Sequence, residues 1–152
     1  MRFRIDSALY ETVSDQRERE WQLALTELNY EADGEPPTLT LHRRADGGVD
    51  VHIANEELIG VVALSFGLLR RHFREYRRVI EQLVRSTSTG TKQMETLDYA
   101  KKLVHDDAGD TVCDAFETCL TIDHSTARRL FTLIFLISNE LPETMVTRHR
   151  HS

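Results

Sequence analysis

The chain has 152 residues, of which 40% are hydrophobic and 29% charged, a composition typical of one soluble globular domain. Its net charge of −6 at pH 7 argues against a general nucleic-acid-binding protein. The sequence contains no glycine-rich phosphate loop, Cys/His zinc spacing or dinucleotide fingerprint, which excludes the enzyme classes built on those motifs. Since the first residues lack the apolar stretch of a signal peptide, we expect a cytoplasmic protein without a membrane segment. No cofactor and no metal are predicted.

The N-terminal residues predict a strand followed by a helix. The stretch from Arg2 to Asp6 alternates polar and apolar residues, which indicates a short edge strand. Asp15 and Glu18 have the spacing of a capping box, and apolar residues then recur with the helical period. We therefore predict the first helix over residues 15–30.

A β-hairpin is the clearest local signal in the sequence. Apolar residues alternate with polar ones over 38–42 and again over 49–53, on either side of Asp46-Gly47-Gly48. Alternation around an Asp-Gly pair is typical of two antiparallel strands joined by a tight turn. The apolar run 58–64 is either a third, more buried strand or the start of the next helix, because periodicity does not decide so short a run.

A long helix is predicted over 67–85, with an apolar seam on one face and arginines on another. The seam residues are Leu69, Phe73, Tyr76, Ile80 and Leu83. We assign Arg70 and Arg71 as candidate anion-binding residues, and Arg74, Arg77 and Arg78 as candidate partner-docking residues. The alternative is a solvated face whose arginine stems cover the core. The seam is also regular enough to face a second subunit, which makes a homodimer possible.

The next segment predicts a linker over 86–91, a helix from Met94 to Val104 and a loop over 105–110. His105, Asp106 and Asp107 are candidate catalytic residues, with the histidine as general acid or base and a carboxylate to orient it. The acids in this loop are also compatible with a divalent cation, or with ordinary charges at the start of the next helix.

The two cysteines are predicted to be free and mostly buried. Cys113 and Cys119 are separated by about 9 Å of helical rise, beyond the reach of a disulfide. The helix that carries them is expected to turn Val112, Phe116, Cys119 and Leu120 inward. Free thiols are typical of a reducing compartment, in agreement with the cytoplasmic prediction.

The most apolar stretch of the chain, Leu130 to Ile137, predicts a central helix over 125–138. Thr132 is its single polar residue, and a helix that is apolar on every side is normally buried on every side. Asp123 or Ser125 can cap it. Arg128, Arg129 and Thr126 then lie near its N-terminus and are assigned as candidate anion-binding residues.

The alternative for this end of the helix is that both arginines pair with acids of the preceding segment.

Residues 142–152 carry no periodicity and predict a basic, flexible C-terminal tail after a single domain over 1–141.

Three sequence motifs resemble a small bacterial family of uncharacterised proteins of about this length. They are the nonapeptide from Thr126 to Ile134, His105-Asp106-Asp107, and Arg70-Arg71 at the start of a long helix. The resemblance covers roughly residues 30–137. It implies a soluble bacterial protein in which the His105 segment and the Arg128–Arg129 end have a functional role.

These observations predict one α+β domain, with an antiparallel sheet of three or four strands packed on four to five helices and the apolar C-terminal helix at its centre. The first functional hypothesis is an interaction or regulatory module that docks a protein or a phosphorylated ligand through its arginines. The second is a small enzyme or ligand binder for a phosphorylated or carboxylated metabolite, with His105 beside Arg128 and Arg129. The third, least favoured, is nucleic-acid binding through residues 70–85. Without a recognisable catalytic motif, a non-enzyme is preferred.

Overall fold

The computed structural model describes residues 1–85 and 91–147 of the chain. One sheet contains four strands: β1 (Arg2–Ile5), β2 (Thr38–Arg43), β3 (Val49–Ala54) and β4 (Leu58–Leu64). The four helices are α1 (Asp15–Glu31), α2 (Phe66–Arg85), α3 (Thr91–Phe116) and α4 (His124–Ile137). Two short 3-10 turns, Ser7–Tyr10 and Glu143–Met145, complete the described structure. The prediction of an α+β fold is confirmed.

The sheet is mixed, so the prediction of a purely antiparallel sheet is wrong at one pair of strands. β1 pairs in parallel with β2, whereas β2–β3 and β3–β4 are antiparallel. The reason is the connection: α1 lies between β1 and β2, and a helical crossover returns the chain in the same direction. The hairpin predicted around Asp46-Gly47-Gly48 is confirmed as β2 and β3.

Residues 58–64 form a strand, which decides the alternative left open by the sequence. This strand, β4, is one of the two outer strands of the sheet, and its burial is lower than predicted. Leu58, Ile59 and Val61 are exposed, while Val62 and Leu64 face the core.

The central position predicted for the C-terminal apolar helix is confirmed. α4 packs against α1 and α3, and its buried residues are Thr126, Ala127, Leu130, Phe131, Leu133, Ile134, Phe135, Leu136 and Ile137. Asp123 is the cap, since its Oδ1 accepts a hydrogen bond from the Thr126 backbone N–H at 2.7 Å. Ser125, the other candidate cap, instead donates its hydroxyl to Glu31.

α2 buries its predicted seam, and all five seam residues are at most 1% exposed. Ser65 caps the N-terminus of α2, since its hydroxyl oxygen accepts a hydrogen bond from the Leu68 N–H at 3.2 Å. His72 is buried among the seam residues, although the apolar pattern did not include it.

α3 is one continuous helix, so the loop predicted over 105–110 is wrong. Gly109 suggested a break, but it lies inside the helix where α3 meets α4. A Cβ atom at this position would lie 2.8 Å from Arg128 Cγ and 2.9 Å from His124 Nε2. Glycine is therefore explained by close helix packing and not by a turn. Of the predicted linker, residues 86–90 lie outside the described residues.

Both cysteines are free thiols, but their predicted burial is only partly confirmed. Cys113 is half-buried, while Cys119 follows α3 and is exposed, contrary to the prediction that it turns inward. Val112 and Phe116 do face the core, and both are fully buried. Within the described ranges, no helix is both long and apolar enough to cross a membrane.

The first residues of the segment predicted as a tail are packed against the domain. Val146 is 2% exposed and belongs to the core. Arg17 on α1 holds this segment, donating Nη2 to the Leu141 carbonyl at 2.8 Å and placing Nε 2.6 Å from Glu143 Oε2. The basic residues 148–152 of the predicted tail lie outside the described part of the chain.

Replacing Arg17 with alanine is expected to lower the free energy of unfolding by about 1–2 kcal/mol, because the Leu141 carbonyl and the Glu143 carboxylate both lose a charged donor. The measurement is urea denaturation followed by circular dichroism. Arg19, exposed on the same helix, provides the matched control, and Arg19→Ala is expected to stay within about 0.5 kcal/mol of the unchanged chain. Equal denaturation midpoints for the two variants would contradict this role of Arg17.

Candidate functional site

The fold brings together the histidine and the arginine pair of the second functional hypothesis. His105 on α3 and Arg128 and Arg129 on α4 line one pocket of about 210 Å³ together with Ser125 and Thr132. The sequence did not show that these residues meet, because the end of α3 and the loop before α4 separate them in the chain. A pocket lined by two guanidinium groups, two hydroxyls and an imidazole has the donors that an anion needs.

The His105 ring is held by hydrogen bonds at both nitrogens. Nδ1 lies 3.0 Å from the Lys101 carbonyl oxygen, and Nε2 lies 2.9 Å from Thr132 Oγ1. A carbonyl only accepts, so Nδ1 carries a proton, and Nε2 pairs with the Thr132 hydroxyl. The edge of the ring contacts Tyr76, with the centroids 4.7 Å apart. These contacts fix the ring at one side of the pocket.

The two arginines already have carboxylate neighbours. Arg128 Nε lies 3.0 Å from Asp106 Oδ1, an ion pair without the alignment of a hydrogen bond. Within the described residues, no acceptor is aligned with this buried Nε–H group. Arg129 lies 3.7 Å from Glu27 and 3.6 Å from Glu31. Both arginines thus have acidic partners, as the alternative interpretation of the sequence proposed. Two of the three acids, however, come from α1 and not from the segment that precedes α4, and the contacts of Arg129 are long.

The predicted orienters of His105 face other partners. Asp106 contacts Arg128, and Asp107 contacts Arg71 Nη1 at 3.0 Å. The Lys101 carbonyl and Thr132 hold the ring in their place. The ring is therefore held by a carbonyl and a hydroxyl group, while each predicted orienter contacts an arginine.

The remaining candidate residues lie away from the pocket lining. Thr126 is only 2% exposed, so its side chain is buried in the core. Arg70, Arg74 and Arg78 are exposed on α2.

Arg77 differs from its exposed neighbours on α2 because acids flank it. It is within 3.9 Å of Glu81 and 3.4 Å of Glu140. Burial raises the pKa of Glu140, and the charge of Arg77 opposes that rise. The structure thus separates the predicted docking arginines from the pocket residues.

Sequence reasoning missed His72, a buried histidine beside two acids. Its Nδ1 lies 3.6 Å from Asp107 Oδ2, and ligand atoms of His72, Glu75 and Asp107 all lie within 4.8 Å of one another. Burial is the main cause that lowers the pKa of His72, with the charge of Arg71 acting in the same direction. The sequence did contain one indication of this cluster, because His72 and Glu75 are spaced i, i+3 and therefore lie on one side of a helix.

A family model of uncharacterised proteins, UPF0262, matches residues 1–140 of the chain. The chain belongs to UPF0262. The match extends nearer to the N-terminus than the resemblance over 30–137 that the sequence motifs suggested. Whether the Thr126–Ile134 nonapeptide marks this family stays a prediction.

Bacterial UPF0262 proteins with similar sequences include that of Sphingopyxis alaskensis, 34% identical over 98 residues that cover 62% of this chain and 59% of the relative. A relative from Methylobacterium radiotolerans is 36% identical over 75 residues, which cover 49% of this chain and 47% of the relative. This chain thus spans about half to three-fifths of the length of those two. One from Cereibacter sphaeroides is 30% identical over 122 residues, covering 79% and 77% of the two chains. No solved structure matches.

Proposed function

We propose that this UPF0262 protein binds a small anionic ligand, a phosphorylated or carboxylated metabolite, in the pocket between α3 and α4. The observation that carries the proposal is the convergence of His105, Arg128 and Arg129 on one pocket of about 210 Å³. That volume accommodates a phosphate or carboxylate group with a few attached atoms. Ser125 and Thr132 add hydroxyl groups that donate to or accept from such a ligand.

The arginines can exchange their present partners for a ligand. Arg129 is 45% exposed and its acid contacts exceed 3.5 Å, so these pairs contribute little, on the order of 0–1 kcal/mol. The buried Nε–H of Arg128 has an ion-pair contact but no aligned acceptor among the described residues, and a ligand oxygen in the pocket would supply one. Bidentate hydrogen bonds from guanidinium to phosphate or carboxylate are stronger than the exposed pairs they replace.

Binding is favoured over catalysis because of how His105 is held. A general acid or base needs a ring nitrogen within reach of the substrate proton. Both nitrogens of His105 are engaged, by Lys101 and Thr132. We assign the ring to shaping and supporting the pocket wall, and the guanidinium groups to ligand recognition.

The docking hypothesis through the arginines of α2 has weaker support. Arg77 is flanked by Glu81 and Glu140, and the exposed Arg74 and Arg78 do not line the pocket. Partner docking therefore stays a prediction, as do the nucleic-acid hypothesis and the cytoplasmic location.

The test is thermal unfolding of the full chain with inorganic phosphate, a sugar phosphate or a dicarboxylate, at constant ionic strength. A ligand at a hundred times its dissociation constant adds roughly 2.7 kcal/mol, which raises Tm by about 5–10 °C for a domain of this size. Arg128→Ala and Arg129→Ala are each expected to remove most of that rise. Glu31→Gln is expected to strengthen binding, because Glu31 is a carboxylate that competes for Arg129 and Ser125.

Arg78→Ala is the matched control, since it removes an exposed arginine outside the pocket and should leave the rise in Tm unchanged. A panel without any rise would contradict the proposal. So would an equal rise in the chain with Arg128→Ala, the chain with Arg129→Ala and the unchanged chain.

A further inference from the structure

The buried His72 has one satisfied and one unsatisfied ring nitrogen. Its Nε2 lies 2.8 Å from Thr111 Oγ1, and that hydroxyl lies 3.5 Å from the Asp107 carbonyl oxygen, to which it donates. In the tautomer whose Nε2–H donates to the Thr111 oxygen, the lone pair lies on Nδ1. Within residues 1–85 and 91–147, no group hydrogen-bonds to Nδ1, although the side chain is only 2% exposed.

The groups that face this nitrogen are carboxylates. Asp107 Oδ2 is 3.6 Å from Nδ1, and Glu75 lies one helical turn from His72 on α2. In that tautomer, a cation between Nδ1 and the carboxylates would be bound by the lone pair and by the carboxylate oxygens together. The histidine cannot turn away, because packing and the bond to Thr111 hold the ring.

Arg71 at present neutralises the two acids from the solvent side. Its Nη1 lies 3.0 Å from Asp107 Oδ2 and 3.6 Å from Glu75 Oε1. The side chain of Arg71 is 56% exposed, so it can leave the carboxylates for solvent at little cost. Among the described residues, Arg71 makes no hydrogen bond to Nδ1.

We propose that His72, Glu75 and Asp107 form a binding site for a divalent transition-metal ion of the Zn²⁺ class. One imidazole nitrogen and two carboxylate oxygens are a ligand set for such ions, and three protein ligands leave positions open for water or substrate. With a metal ion on Nδ1, Nε2–H would donate to Thr111, which is the outer-shell contact that orients metal-binding histidines. This site uses other residues than the anion pocket, so the proposed function does not depend on it.

Once Arg71 has left the carboxylates, the geometry requires only small movements by the two acids. The candidate ligand atoms lie within 4.8 Å of one another. Bonds of roughly 2.1 Å in tetrahedral geometry place ligand atoms about 3.4 Å apart. Glu75 and Asp107 are 37% and 47% exposed at their side chains, so rotation about their side-chain bonds can close that difference while His72 stays in place.

The test is calorimetric titration of the full chain with zinc chloride near neutral pH. Because His149 and His151 would add background binding, the titration is repeated with both changed to alanine. We expect one ion per chain in that background. Glu75→Gln and Asp107→Asn, both at half-exposed positions that should fold normally, are each expected to weaken binding at least tenfold.

Two further variants sharpen the result. Arg71→Met removes the competing cation and is expected to tighten zinc binding severalfold. Asp114→Asn removes an exposed acid elsewhere on α3 and is expected to leave the affinity unchanged. Absence of saturable zinc binding would overturn the proposal, as would an affinity that Glu75→Gln and Asp107→Asn leave unaltered.

Discussion

Replacing Phe131 with alanine is expected to lower the free energy of unfolding by about 3–5 kcal/mol, the range typical for truncating a buried aromatic residue. Phe131 is fully buried in α4. Its ring centroid lies 5.9 Å from those of Phe73 and Tyr76 and 6.4 Å from that of Phe135. Alanine would leave a cavity where α2 and α4 meet, and the neighbouring rings are too tightly packed to fill it.

The measurement is chemical denaturation monitored by circular dichroism. The slope of the free energy of unfolding against denaturant concentration is compared between the variant and the unchanged chain, and equal slopes indicate the same transition. Tyr30→Ala serves as the control, because Tyr30 is 88% exposed and its loss should change the free energy by less than about 0.5 kcal/mol. A Phe131→Ala chain as stable as the Tyr30→Ala chain would show that the aromatic cluster does not stabilise the domain.

The Phe131 ring also links the core to both proposed sites. Its centroid lies 6.2 Å from His72 and 6.1 Å from His105, and it meets both imidazoles edge to face. One aromatic residue thus supports the metal-site histidine on α2 and the pocket histidine on α3. The milder Phe131→Leu, which retains most of the buried volume, is the variant in which to ask whether either site loosens when the ring is lost.

Elements with a strong local pattern were predictable from the sequence. The seam of α2 repeats with helical spacing, the hairpin alternates around Asp46-Gly47-Gly48, and the apolar run of α4 admits only a buried position. The parallel pairing of β1 was not predictable in this way. Strand direction depends on the path of the chain through α1, and no pattern within Arg2–Ile5 encodes it.

The candidate site was predictable in its residue types but not in its geometry. His105, Arg128 and Arg129 were identified as residues suited to an anion, and their convergence required the packing of α3 on α4. The carboxylates next to His105 in sequence point elsewhere because successive helical residues face different directions. His72 was hidden for a related reason: a polar residue inside an apolar seam is recognised only when the partner helix, with Asp107 and Thr111, is known.

Gly109 shows how a tertiary contact can resemble a local break. Within a helix, glycine costs roughly 1 kcal/mol relative to alanine, so its position next to three acids favoured a loop. The structure explains the residue by the approach of α4, whose Arg128 Cγ would lie 2.8 Å from an added Cβ.

Gly109→Val is expected to lower the free energy of unfolding by about 1–3 kcal/mol, since a branched side chain must push α3 and α4 apart or displace Arg128. The same displacement would move a guanidinium group of the pocket, so the stabilisation by an anionic ligand should be lost with it. In Gly109→Ala, the gain in helix propensity of about 1 kcal/mol offsets the smaller clash of a single methyl group, and a change near zero in the free energy of unfolding is expected. The measurements are chemical denaturation for the free energy of unfolding and the thermal shift with ligand for the pocket.

Gly67→Ala is the matched control for the helical preference of alanine itself. Gly67 is exposed in the first turn of α2, and an added Cβ there would meet only Ser65 Oγ at 4.0 Å, so the change should stabilise the chain by up to about 1 kcal/mol. The difference between the two alanine variants then isolates the cost of crowding Arg128 and His124. If Gly109→Val were as stable as the unchanged chain, α3 and α4 would not be in close contact at this position, and the pocket between His105 and Arg128 would lose its structural basis.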